Sequence, residues 1–244
     1  MNYLKHVIAP LALLTALIAK PVAASNDIDA LQNLAQSEFR DFSKDLGAAL
    51  SYKSLAPAES LGITGFDVSL SVTGTSLDHV DAWRKATGDN SFSSTLPVPM
   101  LRVTKGLPFH IDIGAFYTAI PDSNVRMWGG EARWAFINGG VAVPAVAIHG
   151  TYSKLTGVDQ LDLHTSSVDL SISKGFAFAT PYVGVGEVWT NASPNGVPTL
   201  HGESINQTKY FGGVNLNFGL PNIALEVDQT GGITSYGAKV GLRW

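Results

Sequence analysis

The feature that most constrains this chain is an alternation of apolar and polar side chains, with a period of two, from residue 62 to the C-terminal residue. Side chains two residues apart lie on the same face of a β-strand, so this pattern predicts strands with one apolar face. We expect an all-β chain of ten strands, with twelve possible. The ten are predicted at 64–73, 96–104, 109–119, 124–137, 141–152, 161–174, 178–190, 205–218, 222–228 and 233–244.

The predicted connections alternate between short turns and longer loops. Short turns are predicted at 105–108, 138–140, 174–177 and 219–221, and long loops at 74–95 and 191–204. An even number of strands joined in this way is typical of an up-and-down antiparallel β-barrel that spans a membrane. We also expect a helix around 77–85 in the first long loop.

The last hairpin allows its register to be predicted. A turn at 229–232 would pair Val227 with Thr234 and Leu225 with Tyr236. The apolar residues of both strands then share one face, whereas a slip of one residue would mix the two faces.

The two faces of the strands differ in the kind of side chain that they carry. Val168, Leu170 and Ile172 alternate with Asp169 and Ser171, and the aromatic residues follow the apolar face. Aromatic side chains near strand ends form girdles at membrane interfaces, so we assign the apolar face to lipid and the polar face to the lumen. The predicted lumen charges are Asp67, Asp112, Glu131, Arg133, Asp169, Lys209, Glu226, Lys239 and Arg243. A soluble barrel or sandwich with its faces reversed is the alternative.

Composition excludes several classes of function. Charged residues make up only 15% of the chain, against about 25% in soluble domains. The net charge of −4 without a basic cluster argues against nucleic acid as a partner. The chain has no cysteine, so disulfides and thiolate metal sites are excluded. No metal-ligand spacing or phosphate loop is visible, and we expect neither a metal nor a cofactor.

The N-terminal part of the chain has a different pattern. Residues 1–24 have the polar start, short apolar stretch and small terminal residues of a cleaved signal peptide. Residues 25–61 are expected to form an amphipathic helix, over 27–50, and a linker that either plugs the barrel or lies in the periplasm on the short-turn side. Ser25 or Asn26 would cap this helix. The barrel is then expected at 62–244.

In the C-terminal strand, hydrophobic residues stand at every second position and the last residue is aromatic: Tyr236, Ala238, Val240, Leu242 and Trp244. This pattern resembles the sorting signal of bacterial outer-membrane β-barrels. Most such proteins end in Phe, and Trp244 departs from that. The resemblance implies location in the outer membrane, contact with its lipid and insertion by the barrel-assembly machinery. The N-terminal segment is also similar in plan to FadL-like barrels, a likeness that assigns no ligand residues.

One pair of residues raises the question of catalysis. His164 and Ser166 lie two apart on one strand face, with Asp162 beside them. This resembles the His-x-Ser of outer-membrane lipid A deacylases, which implies a base and a nucleophile. The alternative is a polar strand end above the membrane. The rest of the motif is missing, so we assign no catalytic residue and do not expect an enzyme.

Three functions remain open at this point. The leading one is a small outer-membrane barrel that passes an unknown small solute or has a structural role in the envelope. The second is surface binding through loops 74–95 and 191–204, and the third is lipid hydrolysis by His164 and Ser166. A barrel of ten strands has little interior beyond its own side chains, so an open porin is not expected.

Overall fold

The computed structural model describes residues 26–140 and 142–244, and the predicted signal peptide lies outside the described residues. Two α-helices are present there, α1 (Gln36–Leu50) and α2 (Val80–Thr87), with short 3-10 turns at Leu31–Asn33 and Pro108–His110. The strands are β1 (Phe66–Ser76), β2 (Thr95–Leu107), β3 (Ile111–Ala119), β4 (Arg126–Asn138), β5 (Ala145–Thr156), β6 (Leu161–Ser173), β7 (Ala179–Pro194), β8 (Glu203–Asn217), β9 (Pro221–Thr230) and β10 (Ile233–Arg243). All ten predicted strands and the helix in the first long loop are confirmed.

The strands form a closed barrel in which each strand pairs antiparallel with its neighbours in sequence. β1 pairs with β10, which closes the ring. Backbone hydrogen bonds between Phe66 and Trp244, of 2.9 and 3.1 Å, continue that seam to the last residue. We call the end that carries loops 77–94 and 195–202 the loop end, and the end that carries residues 61–65 and Trp244 the turn end. The predicted fold class, a transmembrane up-and-down barrel with an N-terminal helix, is confirmed.

The wall is apolar outside and polar inside over most of its height. On β6, Val168, Leu170 and Ile172 are exposed on the outer face, whereas Asp169 and Ser171 are buried inside. A soluble barrel would show the reverse arrangement, so this part of the wall is built to face lipid. The alternative of a soluble barrel with reversed faces is wrong.

This polarity reverses toward the loop end. On the same strand, Leu161 and Leu163 are buried inside, whereas Asp162 is exposed on the outer face. On β5, Leu155 likewise points inward, and its neighbour Lys154 points outward. The barrel wall therefore rises above its apolar belt, and its upper part has the polarity of a soluble protein.

A hydrophobic core fills the loop end of the barrel. It contains α1, α2 and the upper inner wall, and we call residues 26–50 and 77–94 the cap. The ring of Trp83 packs against Phe42 and Phe92, with centroid distances of 4.7 and 5.3 Å. Apolar residues at helical spacing place one face of α1 in this core, as expected for an amphipathic helix.

The chain then passes from the cap through the lumen to the turn end. Residues 51–61, which we call the plug segment, have no regular secondary structure, and most of their side chains are buried. Their backbone groups must therefore find partners on the barrel wall. No helix of the described residues is long and apolar enough to cross a membrane.

The start of the helix and the register of the last hairpin differ from their predictions. The helix begins at Gln36 rather than at residue 27, and the residue that precedes it is Ala35, whose N–H donates to Glu38 at 2.9 Å. In the last hairpin, Tyr236 pairs with Val227 rather than with Leu225, a slip of two residues that keeps every side chain on its predicted face. The turn is tighter than predicted because Gly231 and Gly232 both adopt positive φ.

Candidate functional site

The inner wall of the barrel binds the plug segment through charged side chains, beginning near the turn end. Arg133 donates to Asp112 at 2.6 Å and to the carbonyl of Pro57 at 2.7 Å. The N–H of Leu61 donates to the same Asp112 carboxylate at 3.1 Å. At the turn end of β6, the N–H of Ala58 donates to Ser173 at 3.1 Å. Wall side chains thus replace the strand or helix partners that this backbone lacks.

Tyr52 is the centre of the polar contacts at mid-height. Its hydroxyl donates to Glu131 at 2.6 Å and accepts a bond from Arg102, which also donates to the carbonyl of Ser54. His149 Nε2 lies 2.8 Å from the same Glu131 carboxylate. Charged hydrogen bonds of this kind are roughly twice as strong as neutral ones. They fix the Tyr52 side chain against β2 and β4.

The level below the cap contains two buried lysines. Lys209 lies 3.4 Å from Asp169 and donates to the carbonyl of Tyr52 at 2.9 Å. Lys53, from the plug segment itself, pairs with Asp228 on the wall at 2.9 Å. Both lysine side chains are almost fully buried, so each depends on its acid for charge compensation.

Formal charges in the lumen of the described residues cancel. The six acids are Asp67, Asp112, Glu131, Asp169, Glu226 and Asp228, and the six bases are Lys53, Arg102, Arg133, Lys209, Lys239 and Arg243, so six minus six leaves zero when His149 is neutral. A cavity of about 10 Å³ lies between Arg102, Arg133 and Arg243. That is room for about one water molecule. The arrangement is a packed interior and not an open channel.

Most of the nine predicted lumen charges are brought together in pairs. Lys239 bonds Asp67 at 3.0 Å, and the pairs Asp112–Arg133 and Asp169–Lys209 are described above. Glu131 and Glu226 bind the plug segment, Glu226 by accepting the N–H of Leu55 at 2.9 Å. Arg243 lines the small cavity.

Sequence reasoning missed five groups of this site: Tyr52, Lys53, Arg102, His149 and Asp228. Arg102, His149 and Asp228 have the inward parity of their strands, so counting two residues at a time along each strand could have found them. Tyr52 and Lys53 lie in a segment without any period, and no pattern indicated them.

The residues of the predicted assembly signal lie on the outer face of β10 and at its end. Tyr236, Leu242 and Trp244 are exposed, and the ring of Trp244 stacks on Phe66 at 5.3 Å. Their exposure is what a lipid-facing row requires. Their role in assembly stays a prediction.

His164 and Ser166 share the outer face of β6, above the apolar belt. The ring of His164 lies 5.9 Å from that of Tyr152, and the neighbouring Asp162 faces Lys154 at 3.5 Å. No hydrogen bond joins His164 to Ser166 or Asp162 in the described part of the chain. The two residues therefore lie on a polar upper wall, without the oriented acid that a nucleophilic pair needs.

A separate polar contact fastens the cap. Asp45 of α1 accepts a hydrogen bond from the backbone N–H of His79, and its second oxygen lies beside Nδ1 of the same residue, both at 2.9 Å. Burial raises the pKa of Asp45 above its ordinary value, and the bonds from His79 oppose that rise. No group of His, Asp and Glu in the described ranges has the arrangement of a metal site.

Comparison with known proteins gives similarity of structure only. No protein-family model and no curated protein sequence matches the chain. The N-terminal β-barrel domain of Pseudomonas aeruginosa OprF is similar with a TM-score of 0.41 and 11% identity, over 75% of this chain and 99% of that one. Neisserial surface protein A (NspA) is similar at 0.31 and 9% identity, over 73% and 94%, and the attachment invasion locus protein Ail of Yersinia pestis at 0.29 and 11%, over 74% and 97%. Similarity this low carries no information about the role of any residue.

Proposed function

We propose that this protein is an outer-membrane barrel closed by its own N-terminal segment, and that it holds a folded cap at the cell surface as a structural element of the envelope. The single observation that carries the proposal is the bonding of the plug segment to charged wall residues from Tyr52 to Leu61. The outward apolar belt and the signal-peptide pattern support export and membrane insertion. Passive transport of a solute would require the plug segment to move.

Localisation is tested by fractionation and by gel mobility. The mature protein is expected in the outer-membrane fraction, and the unheated sample is expected to migrate faster than the boiled one, because a closed barrel stays compact in detergent. Recovery as a soluble periplasmic protein would contradict the proposal.

Channel activity is tested by conductance across planar bilayers. Purified, folded protein is expected to give no steps above the lipid background, since the plug segment and the side chains of the described wall pack the lumen. A pair of cysteines, Ala58→Cys with Ser173→Cys, joins the plug segment to the wall where the native contact is 3.1 Å. Conductance that disappears when this pair is oxidised and returns when it is reduced would show a moving plug and a gated channel, contrary to the proposal.

A further inference from the structure

The shortest connection at the loop end leaves a notch in the barrel rim. The β9–β10 turn consists of Gly231 and Gly232, and the β8–β9 ladder ends at the pair of Lys209 with Thr230. β8 continues upward to Glu203 and remains paired with β7 on its other side. Residues 203–208 therefore have a strand on one side only.

The backbone of this unpaired edge faces the notch. The N–H of Gly231 donates to the carbonyl of Thr208 at 2.9 Å, so Thr208 turns its backbone groups toward the β9 side. Backbone groups of a strand point to alternate sides, and Asn206 and Ser204 therefore turn theirs the same way. In the ranges 26–140 and 142–244 no group bonds the backbone of these two residues on that side. The edge thus presents two N–H donors and two carbonyl acceptors.

The notch encloses a cavity of about 320 Å³. Arg40 and Lys44 of α1 and His79 of the cap line it opposite the edge. Gln207 also lines it and is only 6% exposed. The side-chain oxygen of Gln207 is buried and accepts no hydrogen bond. A buried acceptor without a donor costs free energy that a bound hydroxyl or ammonium group would recover.

The charges around the notch are nearly balanced. Arg40 pairs with Glu203 at 3.1 Å, Lys44 pairs with Asp41 at 2.8 Å, and Asp78 adds one further acid to the lining. A strongly charged ligand is therefore not favoured. A ligand with closely spaced donors and acceptors fits better, and adjacent hydroxyls of a sugar have this property. An extended peptide would gain only the bonds to Ser204 and Asn206 before the hairpin tip stopped it.

The height of the notch indicates where the sugar comes from. On the outer face of β8, Tyr210 is 58% exposed in the position of an interfacial girdle, and Asn206 lies four residues above it. Four residues of tilted strand rise by roughly 10 Å, which places Asn206 in the headgroup layer. We propose that the notch binds a sugar unit in the carbohydrate headgroup of an outer-leaflet glycolipid. The inference rests on the proposed outer-membrane location.

A second unpaired edge at the loop end is blocked. The β2–β3 ladder ends at the pair of Leu101 with Tyr117, and β2 continues through Pro99 and Pro97. Since the N–H of Gly106 donates toward β1, the odd-numbered residues of β2 face the β3 side. Proline has no N–H to offer there, a common protection of strand edges. The unpaired edge of β8 has no proline. Since the rim can be formed with a blocked edge, as at β2, the barrel does not need the β8 edge to be open.

The test uses the folded, full-length mature protein in detergent, with the lipid-free oligosaccharide released from lipopolysaccharide as the probe. Binding is measured by calorimetry on wild type and on Asn206→Pro, which removes an N–H that takes no part in the β7 ladder. A second variant, Gln207→Leu, removes the unpaired acceptor. Each is expected to bind roughly tenfold more weakly, and Asp162→Asn, on the outer face of β6, is expected to bind as wild type does.

Assembly is scored separately, by heat-modifiable migration, so that failure of the proposed membrane location is distinguished from failure of this site. An assembled wild type that does not bind the oligosaccharide overturns the inference, and so does equal binding by all variants. Nanodiscs with and without intact lipopolysaccharide test the source of the sugar. Higher thermal stability of wild type in the lipopolysaccharide nanodiscs, lost in Asn206→Pro, supports the glycolipid. Binding of the free oligosaccharide without any stabilisation in the lipopolysaccharide nanodiscs would overturn the assignment to a glycolipid and favour a soluble saccharide.

Discussion

Buried ions in the lumen and exposed ions on the rim contribute differently to stability. Removing one partner of a buried pair leaves the other charge without water and without compensation, which typically costs about 3–5 kcal/mol. An exposed pair is solvated in both states and contributes about 0–1 kcal/mol. Lys209 with Asp169 and Lys154 with Asp162 are examples of the two kinds in one molecule, at 3.4 and 3.5 Å.

Lys209→Ala is therefore expected to destabilise the folded barrel by several kcal/mol, on the scale of about 3–5 kcal/mol for a broken buried pair. Lys154→Ala is the matched control and is expected to change the free energy of unfolding by less than about 1 kcal/mol. Urea unfolding in lipid vesicles measures both. Equal losses in the two variants would contradict the assignment of Lys209 to the packed lumen.

For single residues, the sequence indicated whether a side chain faces the lumen or the lipid better than it indicated which residue that side chain bonds. Asp67 and Asp169 have clear parity because small polar residues surround them on regular strands. Arg102 was missed because its inward neighbour Met100 is apolar and the strand contains Pro97 and Pro99, which obscured the alternation. Lys53 has no strand to define a parity.

Strands were predicted well because each must keep one face toward lipid along its whole apolar height. That requirement fixes which face each side chain takes, although it does not fix the register to better than two residues. The predicted register of the last hairpin was therefore displaced by two.

The spacing of Ile28, Leu31 and Leu34 predicted a helix over residues 27–35, which the structure does not have. The backbone N–H groups of this segment donate to side chains at the rim and not to helical carbonyls. Asn124 accepts the N–H of Ile28, and Gln160 accepts that of Leu31, both at 3.0 Å. Such long-range contacts are invisible in local spacing.

The change of polarity along β6 allows a sharp comparison within one strand face. Leu170→Arg places a charge in the apolar belt and is expected to cost about 2–4 kcal/mol, with most assembled protein lost. His164→Arg lies on the same face above the belt and is expected to assemble as wild type does. The yield of heat-modifiable barrel measures both. A harmless Leu170→Arg would mean that the outer wall does not face lipid.

On the scale of the whole molecule, the first described residues lie at the loop end, and the chain then passes through the lumen to the turn end before it forms β1. The N–H of Asn26 donates to the carbonyl of Asp122 at the loop end, whereas Leu61 bonds Asp112 at the turn end. The helix α1 therefore lies at the loop end and not on the short-turn side, which was one of the two placings predicted for it. Position along the sequence could not indicate this, because the plug segment has no pattern and its partners are distributed over the ring.

Single cysteines test this course in intact cells, and the chain has no native cysteine to interfere. Asp27→Cys and Asn195→Cys both lie at the loop end and are expected to react with a membrane-impermeant maleimide. Leu220→Cys lies at the turn end and is expected to react only after the outer membrane is permeabilised. Labelling of position 220 but not of position 27 on intact cells would reverse the orientation.

The closed seam between β1 and β10 has a consequence for how the interior can be emptied. A ring that surrounds a continuous length of its own chain cannot release that length sideways. The plug segment is joined to β1 at the turn end, so it can leave only if α1 and the residues before it are drawn lengthwise through a lumen already filled with side chains. An α-helix with side chains is about 10–12 Å wide, and the cap would have to come apart first. Emptying the lumen and unfolding the cap are thus a single cooperative event.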